Sequence, residues 1–231
     1  MDNKKLFRTA AIMLCFFLIM SSAGCWNRRE LKTLAVLIGM GVDKAGKTEQ
    51  VELTAQIFKP VEVKGAGGGN YLNAQSTGET VFDALRNFTR QTSRKVYLPH
   101  NQVLIFGDTV AREGLQNYID FFIRDHETRL RTDVLVARGN AGEILEVDCE
   151  LEKAPATAIF HVLDAQYATS SAMRVSLKDF ASSLISGTTA PVAPLIEILT
   201  KDEEKVLNIS GMAVFKNDKL AGYLNYKESR G

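Results

Sequence analysis

The chain has 231 residues, of which 45% are hydrophobic and 24% charged, and its formal net charge is +1. This composition is that of a globular chain that can bury a core, and it argues against a disordered protein. Because there is neither a basic excess nor an acidic tail, the charge gives no indication of a nucleic-acid-binding protein.

The N-terminus has the three parts of a bacterial export signal. A basic start with Lys4, Lys5 and Arg8 precedes an uncharged apolar run, residues 10–20. This run is shorter than the roughly 20 residues that span a bilayer, and it is typical of the apolar part of a signal peptide. Residues 21–25 (SSAGC) then place small side chains before a cysteine, which resembles the lipobox of bacterial lipoproteins.

We therefore predict a lipoprotein signal peptide at residues 1–24, cleaved between Gly24 and Cys25. Cys25 would carry S-diacylglycerol and an N-terminal palmitate. Ser22 stands where such signals usually have Leu. Because two or more acyl chains hold a protein stably, lipid at Cys25 would anchor the chain on the outer face of the cell membrane. An ordinary secretory signal with a chance cysteine and an uncleaved anchor are the alternatives.

The cysteines give little indication of chemistry. Removal of the signal peptide would remove Cys15 and leave 207 residues with a formal charge of −1. With Cys25 lipidated, Cys149 is the remaining thiol, so an intrachain disulfide is not possible. Acidic neighbours such as Asp148 raise a thiol pKa and disfavour a nucleophile. We predict that Cys149 is a small, partly buried residue.

The first elements of the mature chain are predicted to form a β-hairpin. Residues 34–42 are a continuous apolar run, and residues 50–58 alternate apolar and polar side chains. A glycine-rich stretch, residues 64–78, follows. It matches neither the P-loop pattern nor the dinucleotide-binding pattern, so we predict a flexible surface loop and no phosphate site.

Helices and strands are predicted to alternate from residue 79 onward. Asp108 and Asn140 could cap helices, and Asn217 with Asp218 could form a two-residue hairpin turn. Apolar spacing predicts, in chain order, helix 79–92, strand 103–106, a helix after Asp108, strand 134–137, helices 141–147, 156–168 and 177–185, and strands 195–199, 206–215 and 219–226.

This order predicts an α+β fold with mixed β-sheets and packed helices. We expect residues 25–190 to form one α/β-type domain. Residues 191–231 are expected to be a β-hairpin segment that begins a second, truncated domain.

No catalytic or metal-binding pattern is present. The histidines, His100, His126 and His161, have no i, i+4 spacing, and the motifs HExxH, CxxC and GxSxG are absent. The charged residues 124–129 are predicted to form local ion pairs at a helix end, with a docking surface as the alternative. We therefore predict no enzyme, no cofactor and no metal.

Several segments together resemble the Ger(x)C family, the lipoprotein C subunits of spore germinant receptors. Each segment is short, and their joint order across the chain carries the resemblance. Asn27 stands where the family more often has Asp. The segments are CWNRRE (25–30), GMGVDK (39–44), LPHN (98–101), AREG (111–114), FFIRD (121–125) and GMAVFKNDKL (211–220).

The resemblance implies a non-enzymatic receptor subunit that is required for spore germination. It would lie on the outer face of the spore's inner membrane, beside two polytopic membrane subunits, and act through protein–protein contacts. The small-molecule germinant would bind those membrane subunits. Family members also carry a further C-terminal domain.

The alternative is a solute-binding lipoprotein that captures a small nutrient directly. The two lobes of such proteins would barely fit in 207 residues. A third possibility, an exported enzyme, is disfavoured by the missing catalytic motifs.

Overall fold

A computed structural model describes residues 3–21, 34–46, 48–59, 71–92, 94–149, 151–169 and 172–229. The chain divides into two units, Met1–Thr33 and Leu34–Gly231. The first unit contains helix α1 (Asn3–Ser21), whose apolar side chains are largely exposed. Among the described residues, no helix has the length and apolar character needed to cross a membrane. The predicted cleavage and lipidation site, Gly24 and Cys25, lies outside the described residues.

The second unit is built on one mixed sheet, which has nine strands among the described residues. The strands are β1 (Leu34–Lys44), β2 (Val51–Phe58), β3 (Tyr71–Gly78), β4 (Lys95–Tyr97), β5 (Val103–Phe106), β6 (Asp133–Ala137), β7 (Val192–Lys201), β8 (Glu204–Lys216) and β9 (Lys219–Leu224). The helices are α2 (Val81–Thr92), α3 (Asp108–Glu113), α4 (Gln116–Arg124), α5 (Ala141–Ile144), α6 (Pro155–Thr169), α7 (Leu177–Ser186) and α8 (Tyr226–Ser229).

The strand order is β3-β2-β1-β5-β6-β7-β8-β9. The central strands β1, β5, β6 and β7 are parallel, and antiparallel pairs flank them on both sides. Strand β4 pairs with the start of β1, and β5 pairs with its later residues. The predicted α+β class with a mixed sheet and packed helices is confirmed.

The sheet is buried on both faces, which explains the continuous apolar run in β5. Leu104 and Phe106 join a core with helices α2, α4 and α7 on one face. Val103 and Ile105 join a second core with α5 and α6 on the other face. Alternate residues of a strand point to opposite faces, so a strand covered on both sides is apolar throughout.

The predicted first and last hairpins are confirmed. Strands β1 and β2 pair in antiparallel register, and β8 turns into β9 at Asn217 and Asp218. Asn217 has a φ of 57°, the left-handed conformation that such turns require. The predicted helices 79–92, 156–168 and 177–185 correspond to α2, α6 and α7.

Two predicted elements were wrong. Residues 71–78 of the predicted glycine-rich loop form strand β3, because they pair with β2 along its whole length; residues 60–70 lie outside the described part. The helix after Asp108 is two helices, α3 and α4. The chain breaks at Gly114, which has a φ of 129°, and the N–H of Leu115 donates to the carbonyl of Asp218.

Neither predicted capping side chain acts as a cap. Asp108 is the first residue of α3, and Gly107 holds the capping position. Asn140 precedes α5, but its amide donates to Glu143 and bonds no backbone N–H of the helix.

Strands β7, β8 and β9 continue the same sheet, since β6 pairs with β7 at Val136 and Leu195. The boundary after residue 190 stays a prediction.

Candidate functional site at the carboxyl end of the parallel strands

The segment GMGVDK of the resemblance lies on β1, and Asp43 links it to helix α5. Oδ1 of Asp43 accepts from the N–H of Ala141 at 2.9 Å, and Oδ2 accepts from the N–H of Gly142 at 2.8 Å. Asp43 is 8% exposed. Burial raises the pKa of this carboxyl group above its usual range, and the two N–H donors oppose the rise. The cap of α5 therefore comes from a residue about 100 positions earlier in the chain.

The two glycines of this segment allow helices to pack on the strand backbone. A Cβ at Gly39 would lie 2.4 Å from the Cβ of Ala156, on α6. A Cβ at Gly41 would lie 3.1 Å from the carbonyl carbon of Ala141, on α5. The spacing Gly-x-Gly-x-Asp thus places two close approaches and one cap on the same face of β1, because alternate residues share a face.

A buried amide, Gln56 on β2, reinforces the same contacts. Its Nε2 donates to the carbonyl of Leu145 at 3.0 Å and to Oδ1 of Asn73 at 2.8 Å. Its Oε1 accepts from the N–H of Ala156 at 2.9 Å. Gln56 therefore satisfies the end of α5 and the start of α6 together.

Lys44 joins this end of the sheet to helix α3. Its Nζ lies 2.9 Å from Oε2 of Glu113 and 3.1 Å from Oε2 of Glu49. The hydrogen bond to Glu113 is the main reason that the pKa of Lys44 rises above its usual range. The turn between β1 and β2 is tied to α3 by these two ion pairs.

An open cavity of about 340 Å³ lies beside Asp43. Its lining is polar and includes Thr54, Gln75, Glu143 and Glu146, with neither a histidine nor a cysteine. Such walls can form hydrogen bonds and attract cations. Among the described residues, no group of three or more His, Cys, Asp or Glu side chains could hold a metal ion.

A second polar cluster surrounds Tyr223 of β9. Asp108 accepts from Nε of Arg112 at 2.7 Å and from the hydroxyl of Tyr223. The guanidinium of Arg138 lies 4.7 Å from the centre of the Tyr223 ring and 3.2 Å from Glu197. Burial raises the pKa of Asp108, but the bonds from Arg112 and Tyr223 outweigh it and leave the pKa below its usual range.

The pKa of Tyr223 shifts upward, opposite to that of Asp108. Burial, and then the hydrogen bond to Asp108, raise the pKa of Tyr223 to about 12. The cluster joins β9 to α3.

The remaining candidates of the sequence are one cysteine and two histidines. Cys149 is half-buried, and burial together with Asp148 raises its thiol pKa, as predicted. His161 lies 2.6 Å from Glu152, and His100 contacts the ring of Tyr97 edge-on. Cys149 and His161 both line an open cavity of about 430 Å³, and His100 is not part of its lining.

The charged stretch 124–129 forms the predicted local ion pairs only in part, because Glu127 pairs with the distant Lys95. Arg124 bonds Asp120 at 2.8 Å, and Glu127 bonds Lys95 at 2.7 Å. His126 lies 3.7 Å from Asp125.

Comparison with known proteins gives the class of the chain. Residues 27–198 match the family described as the spore germination protein N-terminal domain. The chain belongs to this family, and the membership indicated by the six short segments is confirmed.

The relatives in Bacillus subtilis (strain 168) are named as spore germination proteins. Protein KC is 30% identical over 242 residues, which cover 94% of this chain and 58% of KC. YfkR is 32% identical over 222 residues, 90% of this chain and 55% of YfkR. Protein A3 is 26% identical over 212 residues, 89% of this chain and 55% of A3. The chain thus spans little more than half the length of these relatives. No solved structure matches it.

Proposed function

We propose that the protein is the lipoprotein subunit of a nutrient germinant receptor and is required for spore germination. The observation that carries this proposal is the match to the spore germination family over residues 27–198. Relatives of the same family, among them proteins KC and A3, are named for germination and not for a reaction. The capped and tightly packed carboxyl end of the sheet supports a stable folded domain in this role.

The subunit is proposed to act from the membrane surface. Signal peptidase would cleave between Gly24 and Cys25, and lipid on Cys25 would hold the chain on the outer face of the spore's inner membrane. Two polytopic membrane subunits would be its partners. They would bind the germinant, and this chain would contact them through its folded surface.

Gene deletion and complementation test the proposal. Spores without the gene should lose their response to one set of nutrients, and the unchanged gene should restore it. The variant Cys25→Ala should accumulate as unprocessed precursor and fail to restore germination, whereas the matched control Cys149→Ala should restore it. An unchanged nutrient response in the deletion strain, with no second gene of the family present, would contradict the proposal.

Direct capture of a solute is the second candidate, and the polar cavity beside Asp43 favours it. Calorimetry of the full chain with amino acids and sugars tests it. Heat of binding that disappears in Glu143→Gln, a change in the cavity wall, would support capture by this chain. If no amino acid or sugar in the set gives heat of binding, direct capture by this chain is contradicted, and the germinant would bind the membrane subunits instead.

A further inference from the structure

The end of the sheet where β1 begins carries a group of exposed basic side chains. Register places Leu34, the first residue of β1, beside Lys95 on β4. Lys95 bonds Glu127, and the N–H of Lys178 donates to the carbonyl of Leu130 at 3.0 Å. These contacts gather three separate segments at one end of the sheet. We name their exposed residues the basal surface, which comprises Arg94, Arg129, Leu130, Arg131 and Lys178.

The four cations of the basal surface have no ion-pair partner within the part of the chain that the structure describes. The acidic side chains nearby are already engaged. Glu127 bonds Lys95 at 2.7 Å, and Asp179 accepts from the hydroxyl of Ser176 at 2.6 Å. Asp125 accepts hydrogen bonds from its own turn. The positive charge of the basal surface is therefore directed to solvent.

The opposite end of the sheet carries many acidic side chains, among them a run that Lys201 and Lys205 flank. Glu143 and Glu146 line the cavity beside Asp43, and Asp202, Glu203 and Glu204 follow one another where β7 turns into β8. The folded unit is thus polarised along its strands, with basic residues where β1 begins and acidic residues where it ends.

The chain that carries the proposed lipid site joins the folded unit at Leu34, the first residue of β1. Nine peptide units join Cys25 to Leu34, which limits their separation to about 30 Å even when fully extended. The sequence between them adds Arg28, Arg29 and Lys32 against the single acid Glu30. Clusters of basic residues next to a membrane anchor are attracted to anionic lipid headgroups.

We propose that the basal surface docks on anionic phospholipid headgroups and fixes the orientation of the folded unit on the membrane. This inference rests on the proposed anchor at Cys25. Leu130, which is 43% exposed between two arginines, would enter the headgroup layer. Its insertion adds apolar contact to the electrostatic attraction, the combination found in surface-bound membrane segments. The acidic end and its cavity would then point away from the membrane.

Fluorescence quenching by brominated phospholipids tests the orientation. The full chain is purified from a lipoprotein-producing bacterium and reconstituted in phosphatidylglycerol vesicles, with Leu130→Trp or Leu151→Trp as the reporter. Leu151 is 97% exposed and lies near Glu204 at the acidic end. The signal of the unsubstituted chain, which contains Trp26, is subtracted. Each basic residue near an anionic surface favours association about fivefold, so four together should keep most molecules docked. Position 130 would then lie near the brominated lipid and position 151 far from it, and we expect quenching to be at least about threefold stronger at position 130.

Charge-matched variants identify the cause. The change Arg94→Gln, Arg129→Gln, Arg131→Gln and Lys178→Gln should abolish the contrast between the two reporters. The control Lys153→Gln, Lys201→Gln, Lys205→Gln and Lys227→Gln removes the same charge away from the basal surface and should retain the contrast. Phosphatidylcholine vesicles, or high salt that screens exposed charges, should act like the first variant.

Mass spectrometry of the same preparation reports the lipid on Cys25 separately. A lipidated chain with equal quenching at both positions would overturn the basal surface and leave the anchor intact. A chain without lipid would contradict the proposed anchor instead. A contrast that persists in the basal variant would also overturn the inference.

Discussion

The two ends of the central strands use their charged residues differently. At the carboxyl end, Asp43, Lys44 and Asp108 each bond a neighbouring element, and Asp43 is buried. At the opposite end, the four cations of the basal surface are exposed and have no ion-pair partner in the described ranges. Charges of the first kind join elements of the fold, and loss of Asp43 would leave two buried N–H groups unsatisfied. Charges of the second kind are available for an external partner.

The largest contrast is expected from glycine substitutions. Gly39→Ala forces a Cβ to 2.4 Å from that of Ala156, so α6 must move, and we expect the free energy of unfolding to fall by about 3 kcal/mol. The matched control is Gly222→Ala on β9, where an added Cβ meets no atom within 4 Å. Urea unfolding measures both variants. Equal losses would show that the close packing at β1 is not the cause.

Removal of the cap should have the next largest effect. Asp43→Ala leaves the N–H groups of Ala141 and Gly142 without their acceptor, at an expected cost of about 2 kcal/mol in unfolding free energy. Asp43→Asn keeps one acceptor oxygen and should lose less. Glu146→Ala, an exposed change in the wall of the same cavity, is the control. A loss in the control as large as in Asp43→Ala would contradict the assigned cap.

Alkaline pH should weaken the contact between β9 and α3. Tyr223 has its pKa raised to about 12 in the fold, whereas an unfolded tyrosine has a pKa of about 10. Its contribution to stability is therefore complete below about pH 10 and is lost as the pH rises through about 12. Unfolding free energies measured across this range should fall less in Tyr223→Phe than in the unchanged protein. The exposed Tyr226→Phe is the control and should fall as the unchanged protein does.

The smallest effect on stability is expected at the basal surface. The fourfold glutamine variant should change the unfolding free energy by no more than about 1 kcal/mol, because exposed substitutions away from packed features change stability little. Urea unfolding beside the vesicle measurement separates the two properties. If the unfolding free energy fell as much as in Asp43→Ala, these cations would be shown to stabilise the fold. The two ends of the sheet would then not differ in how they use their charged residues.

Local sequence patterns predicted the elements whose signals are short-range. The apolar alternation of residues 50–58 predicted β2, and Asn217 with Asp218 predicted the last turn, because hairpins and turns depend on nearby side chains and on φ. Residues 71–78 were missed as a strand, because their polar side chains show no apolar alternation. Pairing with β2 supplies the hydrogen bonds that make them one.

The candidate site also divides into features that local sequence shows and contacts that only the fold creates. The segment GMGVDK was visible in the sequence as part of a family resemblance, yet its physical role was not. A cap is usually sought just before its helix, and Asn140 occupies that position. The structure instead gives the role to Asp43, because the parallel order of β1, β5 and β6 brings the end of β1 to the start of α5.

By itself, the sequence determined the α+β class, the first and last hairpins and the membership of the spore germination family, because periodicity and ordered motifs are local properties. It also carries the proposed lipid site at Cys25. Only the tertiary structure decided which distant residues meet: Asp43 with α5, Gln56 with α6, and three segments at the basal surface. Such contacts depend on strand order, and strand order is set by the burial of the whole sheet between two helical layers.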